Sequence, residues 1–160
     1  MKLQGSYLFS GNQDEVWDAL LDPAILALAL PGGEALQQVG ENQYSAVMNM
    51  RVGPVQGRFE GGIELSDIQP KSSYRMTVSG QGAPGFVKGG GAIRLAEAAE
   101  GTEITYEGDV EIGGKIAGLS QRLVESTARS VIKQGLAELD TQIKLRRVPA
   151  EYLTPPVTPP

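Results

Sequence analysis

The stretch from Gly113 to Arg147, GGKIAGLSQRLVESTARSVIKQGLAELDTQIKLRR, constrains the fold more than any other part of the chain. Apolar or small residues recur at Ala117, Val124, Ala128, Val131, Ile132, Gly135, Leu139 and Ile143, the spacing of one side of an α-helix. Lys115, Gln121, Arg122, Glu125, Arg129, Lys133, Asp140 and Lys144 fall on the opposite side. No proline interrupts the run, and two glycines precede it. Lys144, Arg146 and Arg147 sit where cations complement the end of a helix dipole, and Pro149 stops the helix. At 1.5 Å per residue such a helix is roughly 45 Å long. It has one apolar stripe, so another layer must lie along it.

The preceding chain supplies that layer. Lys2 to Ser10 alternates toward Leu3, Gly5, Tyr7 and Phe9, as a strand does, and Gly11 ends it. Asn12 with Glu15 three residues on resembles a capping box for the helix QDEVWDALLD. Asp22-Pro23 restarts the chain as N-cap and first-turn proline of a second short helix, AILALAL, closed by Pro31-Gly32-Gly33. From Glu34 to Ile112 the period becomes twofold. Tyr44, Ala46, Met48, Met50 and Val52 share one phase, followed by Val55, Gly57, Phe59, Gly61, Ile63 and Leu65. Tyr74, Met76 and Val78, then Ile93 and Leu95, then Ile104, Tyr106, Val110 and Ile112 continue the pattern. Gly40, Gly53-Pro54, Pro70 and Gly101 mark turns. The order strand, two short helices, about six strands and a long helix predicts an α+β domain over 1–147. In it a curved antiparallel sheet of about seven strands wraps around the C-terminal helix. In-strand glycines (Gly57, Gly61, Gly62, Gly89, Gly90, Gly91) suit the tight bends such curvature needs. Residues 148–160 read as a proline-rich tail.

Composition excludes several kinds of chemistry. The chain has no cysteine and no histidine, which removes disulfides, thiolate nucleophiles and every Ser-His or Cys-His arrangement. A net charge of -5 without an arginine-rich stripe argues against nucleic acid as a partner. No apolar signal core follows MKLQGSYLF and no run is long enough to span a bilayer, so a cytoplasmic location is expected. Lys144, Arg146 and Arg147 form the one local cation cluster able to lean on an anionic membrane at its inner face.

The element order is the helix-grip arrangement of START-like and Bet v 1-like lipid- and hormone-binding domains. Within that superfamily the chain resembles the CoxG family, the G subunit of carbon monoxide dehydrogenase, over roughly residues 1 to 145. The resemblance rests on the Asn12 to Ala19 helix, Leu30-Pro31-Gly32, Met50-Arg51-Val52-Gly53-Pro54-Val55 and Phe59-Glu60-Gly61. Its most specific part runs from Tyr106 through Gly113-Gly114 to Leu119. It implies a partner, a molybdenum hydroxylase-type dehydrogenase, which such proteins recruit to the cytoplasmic membrane or link to membrane quinone without being redox catalysts themselves.

Three constellations bear on chemistry. Gly80-Gln-Gly-Ala-Pro-Gly85 matches a dinucleotide-binding glycine pattern as text. Phe86 to Leu95 continues it as strand, so the helix that would hold pyrophosphate is missing and a hairpin is expected. In a grip fold Pro84, Phe86 and Lys88 of that hairpin would sit at a cavity mouth, as a gate or partner surface. Glu60, Glu64, Glu103, Glu107, Asp109 and Glu111 fall on the wet phase of their strands, so no catalytic or metal-binding residue is assigned. The inward phase mixes methionines and large apolar residues with glycines, which leaves space for an apolar guest. Its expected lining is Trp17, Leu20, Ile25, Leu28, Met48, Met50, Phe59, Met76, Phe86, Leu119, Leu123 and Val131. The reading is a non-catalytic accessory protein without a tightly bound cofactor, whose ligand is a lipid or isoprenoid quinone. A recruitment adaptor with a solid core is the first alternative. The second is a grip-fold cyclase or hydrolase using Tyr44, Tyr74 or Tyr106, which a buried carboxylate beside a tyrosine would favour.

Overall fold

The computed structural model describes residues 1–147, and the proline-rich tail expected over 148–160 lies outside them. The chain runs β1 (Lys2–Phe9), α1 (Gln13–Leu20), α2 (Pro23–Ala29), then β2 (Gly33–Gly40), β3 (Gln43–Val52), β4 (Val55–Gln69), β5 (Ser73–Gly82), β6 (Gly85–Ala98) and β7 (Gly101–Gly113). A 3-10 turn (Gly114–Gly118) leads into α3 (Gln121–Arg147). The seven strands form one antiparallel sheet in the order β1-β7-β6-β5-β4-β3-β2. The predicted helix-grip architecture is therefore present: two short helices after the first strand, a long meander, and a terminal helix.

Local chemistry explains each helix start. Asn12 Oδ1 accepts from the Glu15 amide (2.9 Å) while Glu15 Oε1 accepts from the Asn12 amide (3.2 Å), completing the capping box. Asp22 accepts from the Ala24 amide (2.9 Å) and caps α2 behind Pro23. The long helix starts later than its apolar repeat suggests. Gly113 to Ser120 forms an extended residue, a 3-10 turn and a cap, and the Ser120 hydroxyl accepts from the Leu123 amide (3.2 Å). The remaining 27 residues give a rod of about 40 Å.

Glycines bend the sheet where expected. A Cβ built on Gly61 would run into the Ser79 carbonyl of β5, and one on Gly91 into the Glu107 carbonyl of β7. No residue with a side chain permits strands to coil this tightly there. Gly61 and Gly80 are cross-strand neighbours, as are Gly91 and Gly108, so the bend runs across several strands.

Polar contacts fix the last third of α3. Asp140, expected on the solvent side of the helix, is instead buried. Its Oδ1 accepts from both the Ser10 amide (3.1 Å) and the Ser10 hydroxyl (3.0 Å), and Lys144 Nζ lies 3.3 Å from Oδ2. Burial, then the Asp140 charge, pushes the half-buried Tyr7 phenol above its ordinary pKa, and Tyr7 also hydrogen-bonds Asp140. Further along the helix, Arg146 meets Asp22 Oδ2 at 2.8 Å. Two of the three cations that could lean on a membrane thus hold carboxylates of the fold itself.

Asp140→Ala removes both hydrogen bonds to Ser10 and is expected to cost about 2 kcal/mol, read from urea unfolding midpoints. The Arg146 hydrogen bond holds the Asp22 carboxyl below the usual carboxylate range. A lowered pKa contributes stability above the unfolded value of about 4 and loses it as pH falls through the folded value. Arg146→Ala should therefore destabilise by on the order of 0.5 kcal/mol at pH 7, and by progressively less below pH ~4. Thermal melts of both proteins across that range test the sign.

Candidate functional site

The interior divides into two apolar clusters. The larger packs Phe9, Val16, Trp17, Leu20 and Ile25 against Tyr44, Leu65, Tyr74, Leu95 and Ile104 of the sheet, with Leu139 and Ile143 from the end of α3. The smaller joins Val52 and Phe59 to Ile116 and Val124 at the beginning of α3. Between them the concave face carries Met48, Val78, Tyr106 and Val110, in phase with the buried residues of their strands. All four are only half-buried, and none belongs to either cluster. Ala128 and Val131, in the middle of the helix stripe, are half-buried as well. These inward-facing apolar residues are thus less tightly covered than those of the two clusters.

Clefts lie on both flanks of α3. One cleft, of about 420 Å³, lies between the helix and β3 and is bounded by Pro31, Met50, Thr127, Ser130, Val131 and Gln134. The other, also about 420 Å³, lies between the 3-10 turn and β7, against Met1, Val110, Ile112, Leu119 and Val124. Volumes of this order suit small-molecule ligands. Ser126, Thr127, Ser130 and Gln134 bring polar groups to the first cleft from the flank of α3, which the apolar periodicity alone does not identify, and Asn49 and Arg51 bring them from β3.

The expected lining residues fall in four places. Trp17, Leu20 and Ile25 are buried in the larger cluster, with Met76 packed against it; Phe59 is buried in the smaller, flanked by half-buried Leu119 and Leu123. Met48 lies between the clusters, and Met50 and Val131 meet across the first cleft. Leu28 departs from expectation: it is 63% exposed, because Ile25 and Ala29 take the inward side of α2. Phe86 also departs. It pairs with Gln81 and Gly113 in the outward phase, and its ring covers Gly113 on the convex face while Val87 points inward. Lys88 shares that outer phase and is exposed. Pro84 is fully buried, packs against Gly57, and its carbonyl accepts from the Ile116 amide (3.0 Å). The hairpin tip is an anchor for the 3-10 turn and cannot act as a gate while that contact holds. As expected, the glycine pattern from Gly80 to Gly85 forms strand, turn and strand, without a helix.

Three tyrosines occupy the inner phase. Tyr74 is buried edge-on against Trp17 (ring centroids 5.7 Å, 72°), and burial pushes its phenol well above the ordinary value. Tyr44 donates to the Leu21 carbonyl at 3.5 Å and is raised by burial and then by the Asp22 charge. Tyr106 lies flat over Gly5, leaving no room for a Cβ there. One carboxylate, Asp140, is buried beside a tyrosine, Tyr7, but its oxygens are engaged by Ser10 and Lys144. Among the described residues no group of three or more acidic side chains could hold a metal ion, and no helix is long and apolar enough to cross a membrane.

Phe86→Ala is expected to cost no more than about 1 kcal/mol and to leave uptake of an apolar dye unchanged, because the ring lies outside the hollow. Paired denaturation and dye-binding titrations check both halves.

Comparison with known proteins places this architecture. A conserved protein from Geobacillus kaustophilus is 34% identical, with a TM-score of 0.86 over 91% of this chain and 96% of that one. At the level of fold alone, the Zhui aromatase/cyclase from Streptomyces sp. R1128 is similar (13% identity, TM-score 0.66, covering 94% and 98%). So is a protein from Thermus thermophilus (15%, TM-score 0.69, covering 92% and 100%). No curated protein matches the chain. The family model for the G subunit of carbon monoxide dehydrogenase (CoxG) matches residues 5–144, and the chain belongs to that family.

Proposed function

We propose that this chain is a non-catalytic accessory protein that takes an apolar molecule, a lipid or an isoprenoid quinone, into the hollow between sheet and helix. In doing so it links a molybdenum hydroxylase of the carbon monoxide dehydrogenase type to the inner face of the cytoplasmic membrane. Family membership supports the accessory role with that dehydrogenase. What supports a ligand is that Met48, Val78, Val110 and Val131 stay half-buried outside the two packed clusters, with a cleft on each flank of α3. Each ligand methylene placed there contributes about 0.8 kcal/mol, so a hydrocarbon chain is the natural occupant. The clefts beside α3 give a chain room to enter from the side.

A solid-cored adaptor leaves these half-buried residues and clefts without a role. The fold likeness to an aromatase/cyclase at 13% identity carries no chemistry to this chain. The buried Asp140 beside Tyr7 is the one feature that speaks for an enzyme, and its oxygens are taken up by contacts that fasten α3 to β1.

Organic extraction of the purified protein, followed by mass spectrometry, should recover a quinone or lipid in near-stoichiometric amount. Stripped protein should reload from vesicles containing quinone. Val131→Trp, which places an indole in the first cleft, should weaken uptake about tenfold, or ~1.4 kcal/mol, with an unchanged unfolding midpoint. Protein that carries nothing and reloads nothing ends the carrier reading.

A further inference from the structure

The sheet has two outer edges, and they are not equivalent. At one, β1 lies beside the last turns of α3, where Asp140 bonds Tyr7 and Ser10. At the other, β2 pairs with β3 alone, and among the described residues no strand lies on its far side. Ala35, Gln37, Gln38 and Val39 are all exposed there, Val39 to 61%. An open edge offers a row of unpaired amides and carbonyls, which proteins commonly guard with lysine or proline. β2 contains neither. Its single charged residue, Glu34, is held by Arg58 at 2.8 Å. Register shifts fall at its two ends, between Gly33 and Ala35 and between Gln38 and Gly40, and leave residues 35–38 as a regular ladder.

Charge and pleat limit what fits this edge. The chain carries a net charge of -5, so two copies repel wherever their acidic faces meet. Residues 35–39 are neutral, and there two copies can approach without that repulsion. A two-fold axis pairs the strands antiparallel, and because side chains alternate, the allowed registers differ in steps of two. Centred on Gln37, the pairing sets Ala35 of each copy opposite Val39 of the other, and Leu36 opposite Gln38. Within one copy Ala35 already faces the half-buried Val47 across the β2–β3 ladder. An apolar row then crosses the seam from Val47 through Ala35 to Val39 of the second copy, and Val39 is withdrawn from water. Centred on Leu36 or on Gln38, Val39 faces Gly33 or Gln37 and the row is lost. We propose that β2 is a self-association edge, through which two copies pair as antiparallel strands about an axis at Gln37 and join their sheets. The regular stretch is short, so the buried area lies at the low end for protein pairs and the dimer is reversible, with a Kd on the order of 10 µM. This inference does not depend on the carrier reading.

Sedimentation velocity of the full chain, at concentrations from well below that Kd to well above it, should show monomer giving way to dimer. Gln37→Lys sets two ammonium groups face to face at the axis and should raise the Kd at least about tenfold. Gln37→Glu should do the same with two carboxylates. An equal mixture of the two variants should associate again, because opposite charges then meet across the seam. Gln37 is exposed, so both variants should melt at the wild-type temperature in dilute solution. The chain has no cysteine, which allows a direct check of the register. Under mild oxidation Gln37→Cys should form a disulfide-linked dimer, whereas Leu8→Cys, at an exposed position on the opposite edge strand, should not. Monomer at every concentration overturns the inference. So does a dimer that Gln37→Lys leaves intact, a mixture of the charged variants that fails to associate, or cross-linking through Leu8→Cys in preference to Gln37→Cys.

Discussion

Close backbone approach across the sheet is the constraint on which the rest of the structure depends. Where Gly61 meets the Ser79 carbonyl, and Gly91 the Glu107 carbonyl, strands coil to a degree that any side chain would block. The same bareness has two effects. It curves the sheet into a concave surface, and it thins the side chains across the middle of that surface. A single helix about 10 Å across cannot occupy both ends and the centre of such a surface. The core accordingly condenses at the ends, around Trp17 and Tyr74 on one side and around Phe59 and Val124 on the other.

An unfilled apolar interior tends to collapse, because lost contacts cost free energy in proportion to the void. What opposes collapse here is attachment at the extremities of α3. Asp140 is tied to Ser10 on β1, Arg146 to Asp22 at the start of α2, and the 3-10 turn before the helix to the Pro84 carbonyl. These contacts fasten both ends of the rod, so shifting it along or toward the sheet would break them. Hydrogen bonds resist such sliding more than apolar contacts do, because their geometry is directional.

Much of this is legible in the chain. The capping box at Asn12, the Asp22-Pro23 restart, the alternating phases of β3, β4 and β7, and the glycine bends all follow from local rules that tertiary context does not override. Most departures come down to phase. Phe86 looks like a pocket residue by type, but one step along a strand reverses its face, and the flanking glycines offer no apolar alternation to set the phase. Leu28 in AILALAL has apolar neighbours in every direction, so composition cannot say which side of α2 is buried. Asp140 reads as a solvent-facing residue because charged side chains usually are. Only its long-range partner Ser10, 130 residues away, explains its burial. The apolar repeat begins at Ala117 and so suggests an early start for α3, whereas the Ser120 cap decides where the helix begins. β2 offers almost no pattern, since nearly all of it is exposed at the sheet edge.

The proposed carrier must also let go, and the geometry bears on that requirement. A long hydrocarbon chain buried throughout its length at about 0.8 kcal/mol per methylene would be held too firmly to exchange on a useful timescale. In this fold the lining is half-buried and the clefts open laterally beside α3, so part of any guest chain remains near solvent or a neighbouring surface. Partial burial of the tail then limits how firmly such a guest is held, and weak retention is what delivery to a second protein would require.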